Sequence, residues 1–154
     1  MSNPLNEVKG ILPHLVVKGG AKAIDFYKAA FGAEEMSRMP GPDGRIMHAA
    51  LRISGGVLML SDDFPEFCGG QSRAPGSTTP VTLHINVPNC DAAIDRAAKA
   101  GAKVKMPAAD MFWGDRYGQV TDPFGHDWSF SHSLTAEQKA AAEKAWAAMQ
   151  GGKK

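Results

Sequence analysis

The sequence predicts an α+β fold of two tandem βαβββ modules that form a curved sheet cleft, with a C-terminal helix added. Three observations predict it. The segment beginning Gly10-ILPHLVVKGGAKAIDFYKAAFGAEE returns 70 positions later as Pro80-VTLHINVPNCDAAIDRAAKAGAKV. Under that shift His14 meets His84, Leu15 meets Ile85, Val17 meets Val87, and Ala23-Ile24-Asp25 meets Ala93-Ile94-Asp95. One residue is then lost, so that Gly32-Ala33 meets Gly101-Ala102. Both copies pass from a short β-branched run into a helical pattern, and both continue into three further strand-like runs. Module one is expected over about 10–62, a linker over 63–79, module two over about 80–132 and the closing helix over about 135–149.

Each opening run alternates its side chains between two faces, as a strand does. In the first helix Ile24, Tyr27 and Phe31 recur at helical spacing; in the second Ile94, Ala97 and Ala98 do so. Gly32 and Gly101 stand where a left-handed C-terminal cap is wanted. Module one then offers strands over 35–39, 45–53 and 57–62, joined by Pro42-Asp43-Gly44 and Gly55-Gly56 turns. Module two offers 103–106, 116–121 and 126–131, the last two joined by Asp122-Pro123-Phe124-Gly125. The Gly-, Pro- and Ser-rich stretch over 64–79 reads as a mobile linker or lid. Thr135 and Gln138 have capping-box spacing, and Ala142, Trp146 and Met149 make one apolar stripe for docking on the domain or on a partner subunit.

A chain of 154 residues is the size of one domain and can build a core without disulfide or metal staples. Its 44% apolar and 21% charged content is that of a globular protein. The net charge of +1 and the absence of a Lys/Arg cluster argue against nucleic acid as a partner. The amino terminus has no apolar run suited to a signal peptide or membrane span. Cys68 and Cys90 are far apart and form no CxxC pair, which fits a reducing cytoplasm. No Ser-His-Asp elbow, P-loop or Rossmann glycine pattern is present, so hydrolase, nucleoside triphosphatase and dehydrogenase readings fall away.

The double module, the AIDFY-x3-FGAE segment, the HAALRI-SGGVLML hairpin and WGDRYG-QVTDPFGHDWSF together resemble the vicinal-oxygen-chelate superfamily. That superfamily holds glyoxalases, extradiol dioxygenases, fosfomycin-modifying enzymes and bleomycin-binding proteins. The likeness is to its PhnB-like, glyoxalase/bleomycin-resistance/dioxygenase-like branch, over nearly the whole chain. It implies a homodimer and, in catalytic members, a divalent metal held by side chains from the first and fourth strands of each module. Anchored on the AID triplets and on Gly56 and Gly125, those positions fall at Leu12, Thr82, near Leu60 and at Ser129. Leucine cannot ligate a metal and neutral hydroxyls are poor ligands, so the usual site is absent by residue type.

A displaced metal site is the alternative. Two residues further along stand His14, Asp62, His84 and Ser131, of which two histidines and a carboxylate would suit a zinc, iron, manganese or nickel ion if they converged. His48 shares a strand face with Ala50 and Arg52 and reads as a wall residue; His126 and His132 point opposite to Ser129. Trp113 and Tyr117 offer flat faces with polar tips, and Arg116 could clamp a carboxylate or pair with Asp115. Met111 and Phe112 would extend an apolar wall that Phe64 and Phe67 close from the linker.

Three functions compete. The first is a small-molecule-binding protein without the superfamily's metal, its pocket drawing on His14, His48, Asp62, Thr82, Trp113, Arg116, Tyr117 and Ser129. The second is a metal-dependent lyase, isomerase or dioxygenase that uses His14, His84 and Asp62, with the metal as Lewis acid or oxygen binder. The third is metal-free acid/base catalysis with His84 as the proton carrier.

Overall fold

The computed structural model describes residues 4–68 and 80–152. A short 3-10 turn, Pro4–Glu7, precedes module one. That module consists of β1 (His14–Val17), α1 (Gly20–Phe31), β2 (Glu34–Pro40), β3 (Ile46–Ile53) and β4 (Gly56–Asp62). After the short α2 (Pro65–Cys68), residues 69–79 of the expected linker lie outside the described residues, as do the side chains of Phe67 and Cys68. Module two consists of β5 (Thr82–Asn86), α3 (Cys90–Ala100), β6 (Lys103–Asp110), β7 (Asp115–Thr121) and β8 (Asp127–Ser133), and α4 (Ala136–Gly151) follows. The sheets have matching strand orders, β1-β4-β3-β2 and β5-β8-β7-β6. In each, the first strand runs parallel to the fourth and the other pairs are antiparallel. The textual repeat is thus a repeat of topology.

Local chemistry sets the element ends. Gly32 adopts φ 66° and its N–H bonds Lys28 C=O, an αL closure of α1, while the Ala33 N–H reaches Tyr27 C=O. The capping box of α4 forms as expected, with Thr135 Oγ accepting from the Gln138 N–H and the Gln138 side chain from the Thr135 N–H. β6 runs four residues past its expected end at Met106, through Pro107. It is an edge strand with register shifts, where a missing N–H costs no ladder bond.

Register assigns the faces. His14 sits opposite Met59 and His84 opposite Ser129, so Met59, not Leu60, is the first-module counterpart of Ser129. Leu60 is fully buried in the core beneath α1. Asp62, two residues on, lies on that same helix-bearing side. Its carboxylate accepts N–H groups from Gly19 at 2.8 Å, Gly20 at 2.9 Å and Ile46 at 2.7 Å. Its counterpart, His132, does the same work in module two: Nδ1 accepts the Cys90 N–H at 2.8 Å. Two different side chains therefore satisfy the first turns of the two related helices.

One hydrophobic core runs through both modules. Phe31 of α1 packs 4.4 Å from the ring of Trp128 and 5.8 Å from Phe130. The buried Asp122 ties the halves together: it accepts from Tyr27 Oη at 2.7 Å and Trp128 Nε1 at 2.9 Å, and from the N–H groups of Phe124 and His126. Burial, reinforced by Asp122, raises the Tyr27 phenol well above its ordinary titration range, so the donor stays protonated. Arg96 Nε donates to Ala29 C=O, and His126 Nε2 contacts Val16 C=O at 3.2 Å.

Gly118 shows how closely α3 lies on β7. A Cβ there would stand 2.3 Å from Ile94 Cδ1 and 3.0 Å from Met106 C=O. Gly118→Ala is expected to destabilise the fold by about 1–3 kcal/mol through overpacking, read from the urea midpoint at unchanged m-value.

Candidate functional site

Alternation leaves each sheet with one face free of helices, and these two faces carry the polar chemistry. On the first sheet the face presents His14 from β1, Met59 and Ser61 from β4, and His48, Ala50 and Arg52 from β3. The His14 and His48 rings meet edge to face with centroids 6.0 Å apart. Partial burial, and then the charge of His48, holds His14 below the ordinary imidazole value of 6.5. Folded-state protonation of His14 is therefore disfavoured. Its contribution to stability is full above that ordinary value and is lost as pH falls below it. We expect His48→Ala to move the His14 titration back up, in part, when followed by NMR of the imidazole protons.

On the second sheet the face presents Thr82, His84 and Asn86 from β5, Tyr117 and Gln119 from β7, and Asp127, Ser129 and Ser131 from β8. His84 is the hub. Its Nδ1 lies 2.8 Å from Ser129 Oγ, and its Nε2 lies 3.1 Å from both Ser131 Oγ and Asn86 Oδ1. With Asn86 Oδ1 accepting, Nε2 carries the proton and Nδ1 accepts from Ser129. Both ring nitrogens are thereby engaged, which favours a fixed polar wall over a proton carrier. Gln119 Nε2 donates to Tyr117 Oη at 2.8 Å. Asp127, almost fully buried, pairs with Lys105 Nζ and Thr121 Oγ1, both at 2.7 Å. Burial alone would raise its carboxyl, but these bonds outweigh it and hold the group below the ordinary range.

An aromatic chain leads away from His84. Tyr117 lies parallel to its ring at 6.1 Å, Trp113 meets Tyr117 edge-on at 5.6 Å, and Phe112 meets Trp113 at 5.3 Å. Trp146 of α4 stacks on Phe112 at 4.5 Å, so the closing helix docks through its expected stripe. Trp113 keeps 48% of its surface exposed. Beyond the network, Asn86 and Ser131 open onto a hollow of about 470 Å³ that also reaches Asp115 and Ser133. A second hollow, about 310 Å³, lies where the modules meet and is lined by His14, Leu15, Leu83, His126 and Asp127 among others.

Several expected site residues lie elsewhere. Asp62 faces α1, and its oxygens are occupied by backbone amides, so it does not join His14 and His84. His14 neighbours His48, whereas His84 neighbours Ser129, Ser131 and Asn86. Among the described residues, no three His, Cys, Asp or Glu side chains are grouped so as to hold a metal ion. The superfamily's metal does not fit the residues at its equivalent positions either, which are Leu12, Met59, Thr82 and Ser129. Arg116 points to the helix side of β7, since Tyr117 takes the other. It grips Asp91 with Nε and Nη2, at 2.6 and 2.9 Å, and Asp110 with Nη1 at 2.8 Å. Its partner is not the adjacent Asp115, and it is not poised for a ligand. Phe64 carries the Arg45 guanidinium on its ring face at 4.2 Å. Asn86 and Gln119 were not expected; the signal was period-two spacing from His84 and Tyr117.

The family model of the glyoxalase/bleomycin resistance protein/dioxygenase superfamily matches residues 11–130. The uncharacterized protein Mb0911c of Mycobacterium bovis is 54% identical over 132 residues, covering 84% of this chain and 87% of its own. The crystal structure of the Arabidopsis thaliana At5g48480 product superposes with a TM-score of 0.65 at 28% identity, over 81% of this chain and 99% of the other. A PhnB protein from Bacillus cereus shares the fold, with a TM-score of 0.61 at 20% identity over 82% of this chain and all (100%) of its own. With the matched module pair, the common sheet order and the family model spanning both halves, the chain belongs to the glyoxalase/bleomycin resistance protein/dioxygenase superfamily.

Proposed function

We propose that this protein binds a small polar, aromatic molecule without a metal ion, in an inter-sheet pocket whose polar wall is the helix-free face of the second sheet. The observation that carries the reading is the His84–Ser129–Ser131–Asn86 network set beside the half-buried Tyr117 and the exposed Trp113. Ligand pockets combine flat apolar walls with a few fixed polar groups, and this face supplies both. Donors and acceptors alternate along it with little net charge, which suits a neutral heteroaromatic amide or a comparable planar group. Thr82 lengthens the same wall, and His14 and His48 lie on the helix-free face of the first sheet. A homodimer in the cytoplasm completes the proposal; the exposed Phe112, Trp113, Trp146 and Met149 support the first part and the unpaired cysteine Cys90 supports the second.

Trp113 fluorescence tests it. Titration with metal-free bleomycin and with a series of heteroaromatic amides is expected to quench the emission saturably for at least one compound. By isothermal titration calorimetry, which needs no reporter, Trp113→Ala and His84→Ala should each weaken that compound about tenfold or more, the equivalent of roughly 1.4 kcal/mol. Saturable binding that appears only with added zinc, iron, manganese or nickel would overturn the metal-free reading.

A further inference from the structure

We propose a second ligand site on the opposite, helix-bearing side of the molecule, in the cleft between α1 and α3, that takes a small carboxylate with an apolar tail. The cleft holds about 350 Å³, within the range of small-molecule sites. Its floor is apolar: Phe31 from α1, Ile85 and Val87 from β5 and its end, and Phe130 from β8. Three polar residues line its rim, Arg96, Asn89 and Ser54, and all three have a hydrogen to give.

Their existing bonds leave those donors available. Arg96 uses Nε on Ala29 C=O at 2.9 Å, and among the described residues no carboxylate pairs with its guanidinium, in contrast to Arg116 with two. Asn89 Oδ1 accepts the Ala92 N–H at 3.0 Å as the cap of α3, which leaves the amide nitrogen as the donor of that side chain. Ser54, at the β3–β4 turn with a positive φ of 48°, lines the same cleft. An apolar floor with a rim of donors and an unpaired guanidinium selects an anionic head on a hydrocarbon or aryl body. A fork of two Nη groups recognises a planar carboxylate best.

This cleft is independent of the face described above. Ile85 and Phe130 point to it while their neighbours His84, Ser129 and Ser131 point the other way, so each site can fail without the other.

The probe is sodium octanoate at submicellar concentration, followed by amide NMR shifts of the full chain, with 1-octanol as its uncharged partner. Octanoate is expected to shift Ala30, Phe31, Ile85, Val87 and Ala93 saturably, and to bind at least tenfold tighter than octanol. Arg96→Gln should remove that preference, whereas Arg96→Lys should keep part of it. Shifts confined to the Trp113 and His84 face, or equal affinity for octanoate and octanol, would overturn the proposal. The comparison on the wild-type chain decides the matter even if Arg96→Gln unfolds.

Discussion

Replacement of Asp122 by alanine should cost about 3–5 kcal/mol, the range observed when one partner of a buried charged network is removed. Four donors converge on this carboxylate, from Tyr27, Trp128, Phe124 and His126, and the carboxylate itself is 1% exposed. Alanine leaves the Tyr27 hydroxyl and the Trp128 indole N–H buried without an acceptor. Each such orphan costs about 1–3 kcal/mol. Against a total stability of about 5–15 kcal/mol the variant is expected to be marginal or unfolded at 25 °C by urea titration. Tyr27→Phe, which removes one donor and leaves the others paired, should lose only about 1–2 kcal/mol. If the two variants were equally stable, Asp122 would not be the clasp between the modules that its geometry indicates.

Asp62→Ala should come second, at about 2–4 kcal/mol, because three backbone amides lose their common acceptor. The loss is local to the β4–α1–β3 corner. Hydrogen exchange should therefore rise first at Gly20 and Ile46, before the second module responds. Asp62→Asn keeps one acceptor oxygen and should fall between alanine and wild type. A metal-binding role for Asp62 predicts the reverse pattern, with little loss of stability in the apo protein.

Much of the fold was legible in the chain because the two halves carry the same alternation and the same helical spacing. The caps at Gly32 and Thr135 were readable for the same reason: each depends on residues within a turn of one another. The site was legible only where alternation was followed from a sound anchor. Thr82 and His84, and Ser129 and Ser131, share one face as alternation leads one to expect. Leu60 and Asp62 lie on the helix-bearing side instead, because the one-residue loss between Gly32 and Gly101 is recovered before β8. The turn glycines Gly56 and Gly125 are therefore out of step by one, and a one-residue slip exchanges the faces of a strand. Arg116 was misassigned for another reason. Its partner Asp91 lies 25 residues away in sequence, and only the packing of α3 on β7 brings the two together.

The paired helix caps carry a consequence for how the duplicated halves have diverged. A carboxylate at the start of α1 gains from the positive end of the helix dipole. An imidazole at the start of α3 offers a single acceptor atom, Nδ1, and takes only the Cys90 N–H. The same slot, filled by two residues, gathers three backbone amides in the first module and one in the second, so losing the acceptor should cost the first half more than the second.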